Sequence, residues 1–159
     1  MKLTVTSTAG DFVTLCECKE YLKVNDESRD DLILNCSKMA TRFVEDMINE
    51  SLSSHTVQLI TDVDHIFELY LPAIDVINSV KCLITGEDVS YRQYADNQII
   101  ALDDSISAII EYTTKKKEVD ADAEKMAVLS LTSLIYDGVT DRNVWNSVIT
   151  NYLAHKLPL

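Results

Sequence analysis

Three histidines and four cysteines are the side chains best suited to metal or nucleophilic chemistry, and their spacing argues against both. His55, His65 and His155 stand at no metal-ligand spacing from one another, so each reads as a surface or loop residue. Cys16 and Cys18 fall on an expected helix, where two residues of separation point them about 200° apart. A Cys-x-Cys without a second pair is a poor zinc signal, and with Cys36 and Cys82 they read as reduced thiols. Ser53-Ser54-His55 is contiguous, but a nucleophile and its base are a spatial arrangement, not a run of neighbours. The carboxylate pairs Asp62/Asp64 and Asp103/Asp104 sit in expected turns, away from the apolar burial that acid–base catalysis needs. Asp62-Val63-Asp64 opens like a calcium loop, yet no following Gly and terminal Glu complete it. Gly10, Gly86 and Gly138 are too scattered to cradle a phosphate. Lys115-Lys116-Lys117 lacks interleaved aromatics and reads as a solvated loop. No catalytic residue, metal or cofactor is expected, and the sequence does not support an enzyme.

The elements that must carry these residues form an α+β pattern, mainly α, in one domain spanning 1–159. Residues 1–54 are expected to be helical. Thr14 and Glu17 make a capping box for a helix over 14–22, and Asn25 or Asp26 can cap a second. Leu32, Ile33, Cys36, Met39, Ala40, Phe43, Val44, Met47 and Ile48 give that second helix a stripe of period 3.6, opposite Asp31, Lys38, Arg42, Glu45, Asp46 and Asn49. Leu34 falls on the polar side, as a contact to a neighbouring subunit would. Over 55–112 the period becomes two, and strands are expected at 56–61, 66–71, 76–84, 91–95, 99–102 and 106–112, a small antiparallel meander. Pro72, Thr85-Gly86-Glu87-Asp88, Asp96-Asn97-Gln98 and Asp103-Asp104 punctuate it. Residues 113–159 are again helical. Asp120 or Asp122 caps a third helix that is apolar on most sides, Gly138 ends it, and Asp141 opens a fourth with the stripe Val144, Trp145, Val148, Ile149, Tyr152, Leu153 before Pro158.

The chain has 26 acidic and 14 basic residues among 159, a net charge of −12. Such a body repels phosphate, so a nucleic-acid clamp is not expected. The charge is uneven: residues 55–112 hold ten acidic residues against Lys81 and Arg92 alone. Asp62, Asp64, Glu87, Asp88, Asp103 and Asp104 place much of it in turns. No apolar run approaches the ~20 residues of a membrane span. The opening Met1-Lys2-Leu3-Thr4-Val5-Thr6 has no signal-peptide stretch, so synthesis and retention in a cytosol are expected.

Thr14-Leu15-x-x-x-Lys19-x-x-Leu22, the acidic stretch 25–31, and Leu32-Ile33 opening a long helix through Ala40, Val44 and Glu45 resemble the start of the head–tail connector (adaptor) family of tailed bacteriophages. Ile109-Ile110-Glu111-Tyr112-Thr113 resembles that family's strand, and Leu131–Ile135 with Tyr136-Asp137 its apolar helix. Thr114-Lys115-Lys116-Lys117 and Val119-Asp120 depart from the family's glycine turn and proline. The resemblance implies a structural virion protein made in the host cytoplasm and placed at the neck. It implies a homo-oligomeric ring, usually of twelve copies, between a portal protein and the next neck or tail component, with DNA passing through without specific binding. On that reading the acidic turns line the channel or its mouths. Tyr152, His155, Lys156, Leu157 and Leu159 then dock on the portal or an adjacent subunit. A second class also fits the charge: a small acidic DNA mimic that inhibits a nucleic-acid enzyme.

Overall fold

Residues 54–63 alternate in type, and the alternation becomes a strand with His55, Val57, Leu59, Thr61 and Val63 on its buried side. The computed structural model describes residues 1–70, 74–94, 99–115 and 122–154. In chain order the elements are β1 (Lys2–Ala9), α1 (Leu15–Leu22), a 3-10 turn (Glu27–Arg29), α2 (Asp30–Ile48), β2 (Ser54–Val63), β3 (Ile66–Glu68), β4 (Ile74–Cys82), β5 (Tyr91–Tyr94), β6 (Ile99–Leu102), β7 (Ile106–Thr114), α3 (Asp122–Tyr136) and α4 (Arg142–Leu153). They fall into two compact units, residues 1–10 with 49–117, and residues 11–48 with 118–159.

The first unit is built of two antiparallel sheets, one in the order β1-β2-β7-β4 and a smaller one in the order β3-β6-β5. β2 and β7 pair without a slip, Val57 opposite Tyr112 and Leu59 opposite Ile110, so both bury the same face. Val80, Ile77, Ile100, Leu102 and Leu69 complete that core. The Tyr112 ring is fully buried and its hydroxyl donates to the Tyr70 carbonyl at 2.8 Å.

Two sequence expectations are corrected here. Residues 2–9 are a strand, not part of a helical region: β1 lies antiparallel on β2, with Leu3 opposite Leu59 and Val5 opposite Val57. Its Thr-rich, β-branched composition favours strand, but its partner lies about fifty residues away in sequence, and only Leu3 and Val5 mark its inner side. The β region is also no simple meander, because β2 pairs with the distant β7, and β3 with β6. With seven strands beside four helices among the described residues, the class is mixed α+β. The expected ends at Leu71-Pro72 and Ala95, the turn at Asp96-Asn97-Gln98, and the caps and stops at Asp120 and Pro158 lie outside the described residues.

The second unit is helical. Thr14 caps α1 and exchanges bonds with Glu17 in the expected box, and Asp26 caps the 3-10 turn that leads into α2. Cys16 is exposed and Cys18 buried, as opposite faces require. The buried stripe of α2 is turned from the one expected: Ile33, Cys36, Ala40, Val44 and Ile48 are enclosed, but so are Ser37, Thr41 and Glu45, while Leu32 and Met39 are half exposed or more. The apolar arc of α2 is wider than the face its neighbours cover, so one flank stays in solvent and the small polar flank goes inside. The Thr41 hydroxyl is satisfied there by the Ser37 carbonyl at 2.8 Å. Gly138, at φ 81°, closes α3, with Gly138 N–H on the Ile135 carbonyl and Val139 N–H on that of Leu134. Asp141 caps α4 through the Asn143 N–H at 2.9 Å. Ile149 and Leu153 are the fully buried residues of its stripe, and Trp145 donates to the Val139 carbonyl.

Two measurements check this packing. Phe43 is half-buried and meets the Trp145 ring edge-on at 5.2 Å. Phe43→Ala is expected to cost about 2–3 kcal/mol, under the 3–5 of many enclosed aromatics; an unchanged thermal melt would show the pair is not part of the core. Lys125 donates to Glu17 at 2.5 Å, and this bond, aided by the Thr14 N–H, holds the Glu17 carboxyl below its ordinary range. A carboxyl depressed in the folded chain adds stability above its unfolded pKa and loses it as pH falls through the folded one. Glu17→Gln should therefore be about 0.5–1 kcal/mol less stable near pH 7, given the pair's partial exposure. The gap should close below about pH 4, and a gap independent of pH would exclude the ion pair as its source.

Candidate functional site

The register of the larger sheet brings the acidic turns to one end of the β unit. Asp62, near the end of β2, faces Ser107 of β7 and accepts its hydroxyl. Asp64 follows in the turn to β3 and accepts from Ser105 Oγ at 2.6 Å. His65 has a left-handed backbone (φ 64°), and its carbonyl takes the Leu102 N–H at 2.7 Å, which ties this turn to the one at Asp103-Asp104. The β4–β5 loop joins from the other side, through Leu83 N–H on the Ser107 carbonyl and Cys82 N–H on that of Glu87. Asp88 bridges back to Lys81. All six carboxylates singled out from the sequence thus share one end of one unit, and all six residues are exposed.

Asp88, Asp103 and Asp104 line a hollow of about 320 Å³ with Cys82, Val89, Ser90 and Ile106. Arg92 reaches Asp103 at 2.8 Å, so one charge is paired there. Hydrogen bonds from the Thr85 backbone and hydroxyl, and from the Ile84 backbone, pull the Cys82 thiol below its ordinary pKa. Cys82 and Ser90 share the hollow with these exposed carboxylates, and among the described residues no three His, Cys, Asp or Glu side chains stand close enough to hold a metal. The arrangement is a solvated negative surface, fit to repel an anion or to meet a basic one.

The histidines separate. His65 is exposed in its turn beside Asp64. His55 corrects the surface expectation: it is buried in β2, with its ring Nδ1 3.0 Å from the Thr8 hydroxyl and its backbone N–H on the Thr114 hydroxyl. The signal was readable: His55 stands two residues before Val57 and four before Leu59, on the inner face of the alternation.

The expected contact residues are divided too. Leu34 is half-buried on α2. Tyr152 is 38% exposed on α4, and His155, Lys156, Leu157 and Leu159 lie outside the described residues, as do Lys116 and Lys117. Sequence reasoning missed the company Tyr152 keeps. Its hydroxyl accepts from Ser130 Oγ, which also meets the Tyr21 hydroxyl at 3.0 Å, and Met126 is exposed one turn earlier on α3. The Met126–Ser130 spacing of four was a readable sign of a shared helix face. From Asn143 to Ala154 the chain carries no charge, although most of these side chains are exposed.

Comparison with solved structures finds the same fold in virus-like particles. A chain in the neck of an empty GTA particle, computed with C6 symmetry, is 14% identical with a TM-score of 0.67, covering 86% of this chain and 84% of that one. A chain of the native gene transfer agent virion is 14% identical with a TM-score of 0.66 over the same shares. One in the native GTA neck computed with C12 symmetry is 17% identical, at 0.62 over the same shares. No curated protein sequence matches the chain. The family model of the phage gp6-like head–tail connector protein matches residues 12–141. The chain therefore belongs to the gp6-like head–tail connector family, whose members are structural proteins and not enzymes.

Proposed function

We propose that the chain is a ring-forming neck component of a virion, made in the host cytoplasm and working as one connector over residues 1–159. In this reading copies, usually twelve, sit beneath a portal protein, hand on to the next neck or tail component, and leave a channel for DNA. The family match over residues 12–141 carries the proposal. The fold's recurrence in GTA necks computed with C6 and C12 symmetry supports a symmetric assembly. The gathered carboxylates support a channel or channel mouth along which DNA slides without sticking, since symmetry multiplies the charge of each copy. The same gathering counts against an acidic DNA mimic, which needs its carboxylates in phosphate-like rows along an exposed face.

The portal or neighbouring subunit is met, in this reading, by the C-terminal segment, with Tyr152 at the edge of the contact and His155, Lys156, Leu157 and Leu159 within it. Leu34 is a further candidate contact to a neighbouring subunit. Residues 113–159 carry no net charge, so docking there meets little like-charge repulsion. Removing residues 156–159 is expected to leave the thermal melt unchanged, because Ile149 and Leu153 keep α4 anchored, and to weaken ring formation or portal attachment. Assembly on portals at unchanged affinity would exclude the tail as an interface. The isolated protein is expected to bind duplex DNA negligibly at about 0.15 M salt. Tight, salt-dependent binding in a mobility-shift titration would contradict the acidic channel and direct attention to Lys115–Lys117.

A further inference from the structure

The central strands of the larger sheet each keep a charge on their outer face, Asp62 in β2 and Glu111 in β7, whereas β1 has none after Lys2. Leu3–Gly10 is a run without Asp, Glu, Lys or Arg in a chain where a quarter of residues are charged, and six of its eight residues are exposed. β1 is also an edge: it pairs with β2 on one side, and among the described residues nothing hydrogen-bonds the backbone of its other side. Edge strands are usually guarded by charges, because a free row of N–H and C=O groups accepts any strand of suitable register. This one carries only Lys2 at its start.

The opposite edge of the same sheet is β4. The loop that follows β4 folds back on its last residues, with Val89 N–H on the Val80 carbonyl and Cys82 N–H on that of Glu87. The outer side of residues 74–79 is left without a partner among the described residues. Val76 is 48% exposed there. The free stretch of β4 is six residues long, against seven in the uncharged part of β1, Leu3–Ala9. Irregularities of register occur in both edge strands, at Thr6 in β1 and at Asp75 and Asn78 in β4, and none occurs in the central β2–β7 pairing. Bulges raise local twist, which a sheet continuing around a closed ring requires.

We propose that the free edge of β1 pairs antiparallel with residues 74–79 of β4 in a second copy, so that the four-stranded sheets join from copy to copy. The inference rests on the ring reading above and names the surface that would close it. A cyclic assembly needs two different, complementary patches on each copy, and the two edges of one sheet supply them. The four strands alternate in direction, so β1 of the next copy, related by rotation, continues the alternation against β4. Two acidic chains approach most easily where charge is absent, as it is over Leu3–Gly10, and residues 74–79 carry Asp75 as their single charge.

Engineered disulfides test it in the full chain with Cys16→Ser and Cys82→Ser, leaving the buried Cys18 and Cys36. Thr4→Cys is combined in turn with Asp75→Cys, Val76→Cys or Asn78→Cys, all at exposed positions. Within one chain the two edges lie three strand spacings apart, about 14 Å, too far for a disulfide to bridge. Mild oxidation is expected to give at least one double variant a reducible ladder of dimer, trimer and higher species on a denaturing gel, while each single variant stays monomeric. Thr4→Lys is expected to lower the oligomeric fraction in native mass spectra at least tenfold with an unchanged thermal melt, and Thr4→Val to retain it. A dimer from Thr4→Cys alone would show β1 pairing with itself and overturn the proposal. Absence of any ladder while the parent chain forms rings would overturn it and leave the ring reading standing. A parent chain that forms no oligomer, alone or on a portal, would overturn both.

Discussion

The ladder between β2 and β7 is the constraint on which the β unit depends. Eight consecutive residue pairs run without a slip between strands far apart in sequence, and each strand buries every second side chain. A shift of β2 by one residue against β7 would turn Val57 and Leu59 toward solvent and bring Gln58 inside, opposite the buried Ile110 and Tyr112, so the register is fixed by burial. The turn geometry follows from it. Because Asp62 lies opposite Ser107, the turns at Asp64 and at Asp103-Asp104 must leave the sheet at the same end, and the Ser105 and Ser107 hydroxyls join them. The acidic end is a consequence of core register, achieved with no buried charge among its carboxylates.

Local signals were legible in the sequence, and non-local ones were not. The Thr14–Glu17 box, the Asp26 and Asp141 caps and the Gly138 stop depend on neighbours within four residues, and each appears where the sequence placed it. β1 was invisible because its stability comes from β2, and a Thr-rich run with two half-buried apolar residues has no strong period by itself. The sheet order was equally hidden. Alternation shows that residues 54–63 form a strand but not that their partner is β7 rather than the adjacent β3. On α2 the apolar stripe was real but broader than the covered face, so Leu32 and Met39 went out and Glu45 went in. The acidic turns were readable one by one; their convergence needed the register.

Charge ties these observations to a connector. The chain is acidic, and Asp62, Asp64, Glu87, Asp88, Asp103 and Asp104 gather, exposed, at one end of one unit. Charge is missing from two stretches where burial does not demand its absence, Leu3–Gly10 along the edge strand and Asn143–Ala154 along the last helix. Uncharged exposed segments on an acidic protein are where copies and partners can approach, since like charges elsewhere hold them off. Membership of the gp6-like family fits a chain that carries both an acidic surface and uncharged exposed ones.

The central claim is a cyclic assembly at a portal. Native mass spectrometry of the chain, alone and mixed with its purified portal ring, tests it most directly. The account predicts a single closed stoichiometry, twelve copies bound to one portal ring. A chain that remains monomeric and leaves the portal mass unchanged would contradict it.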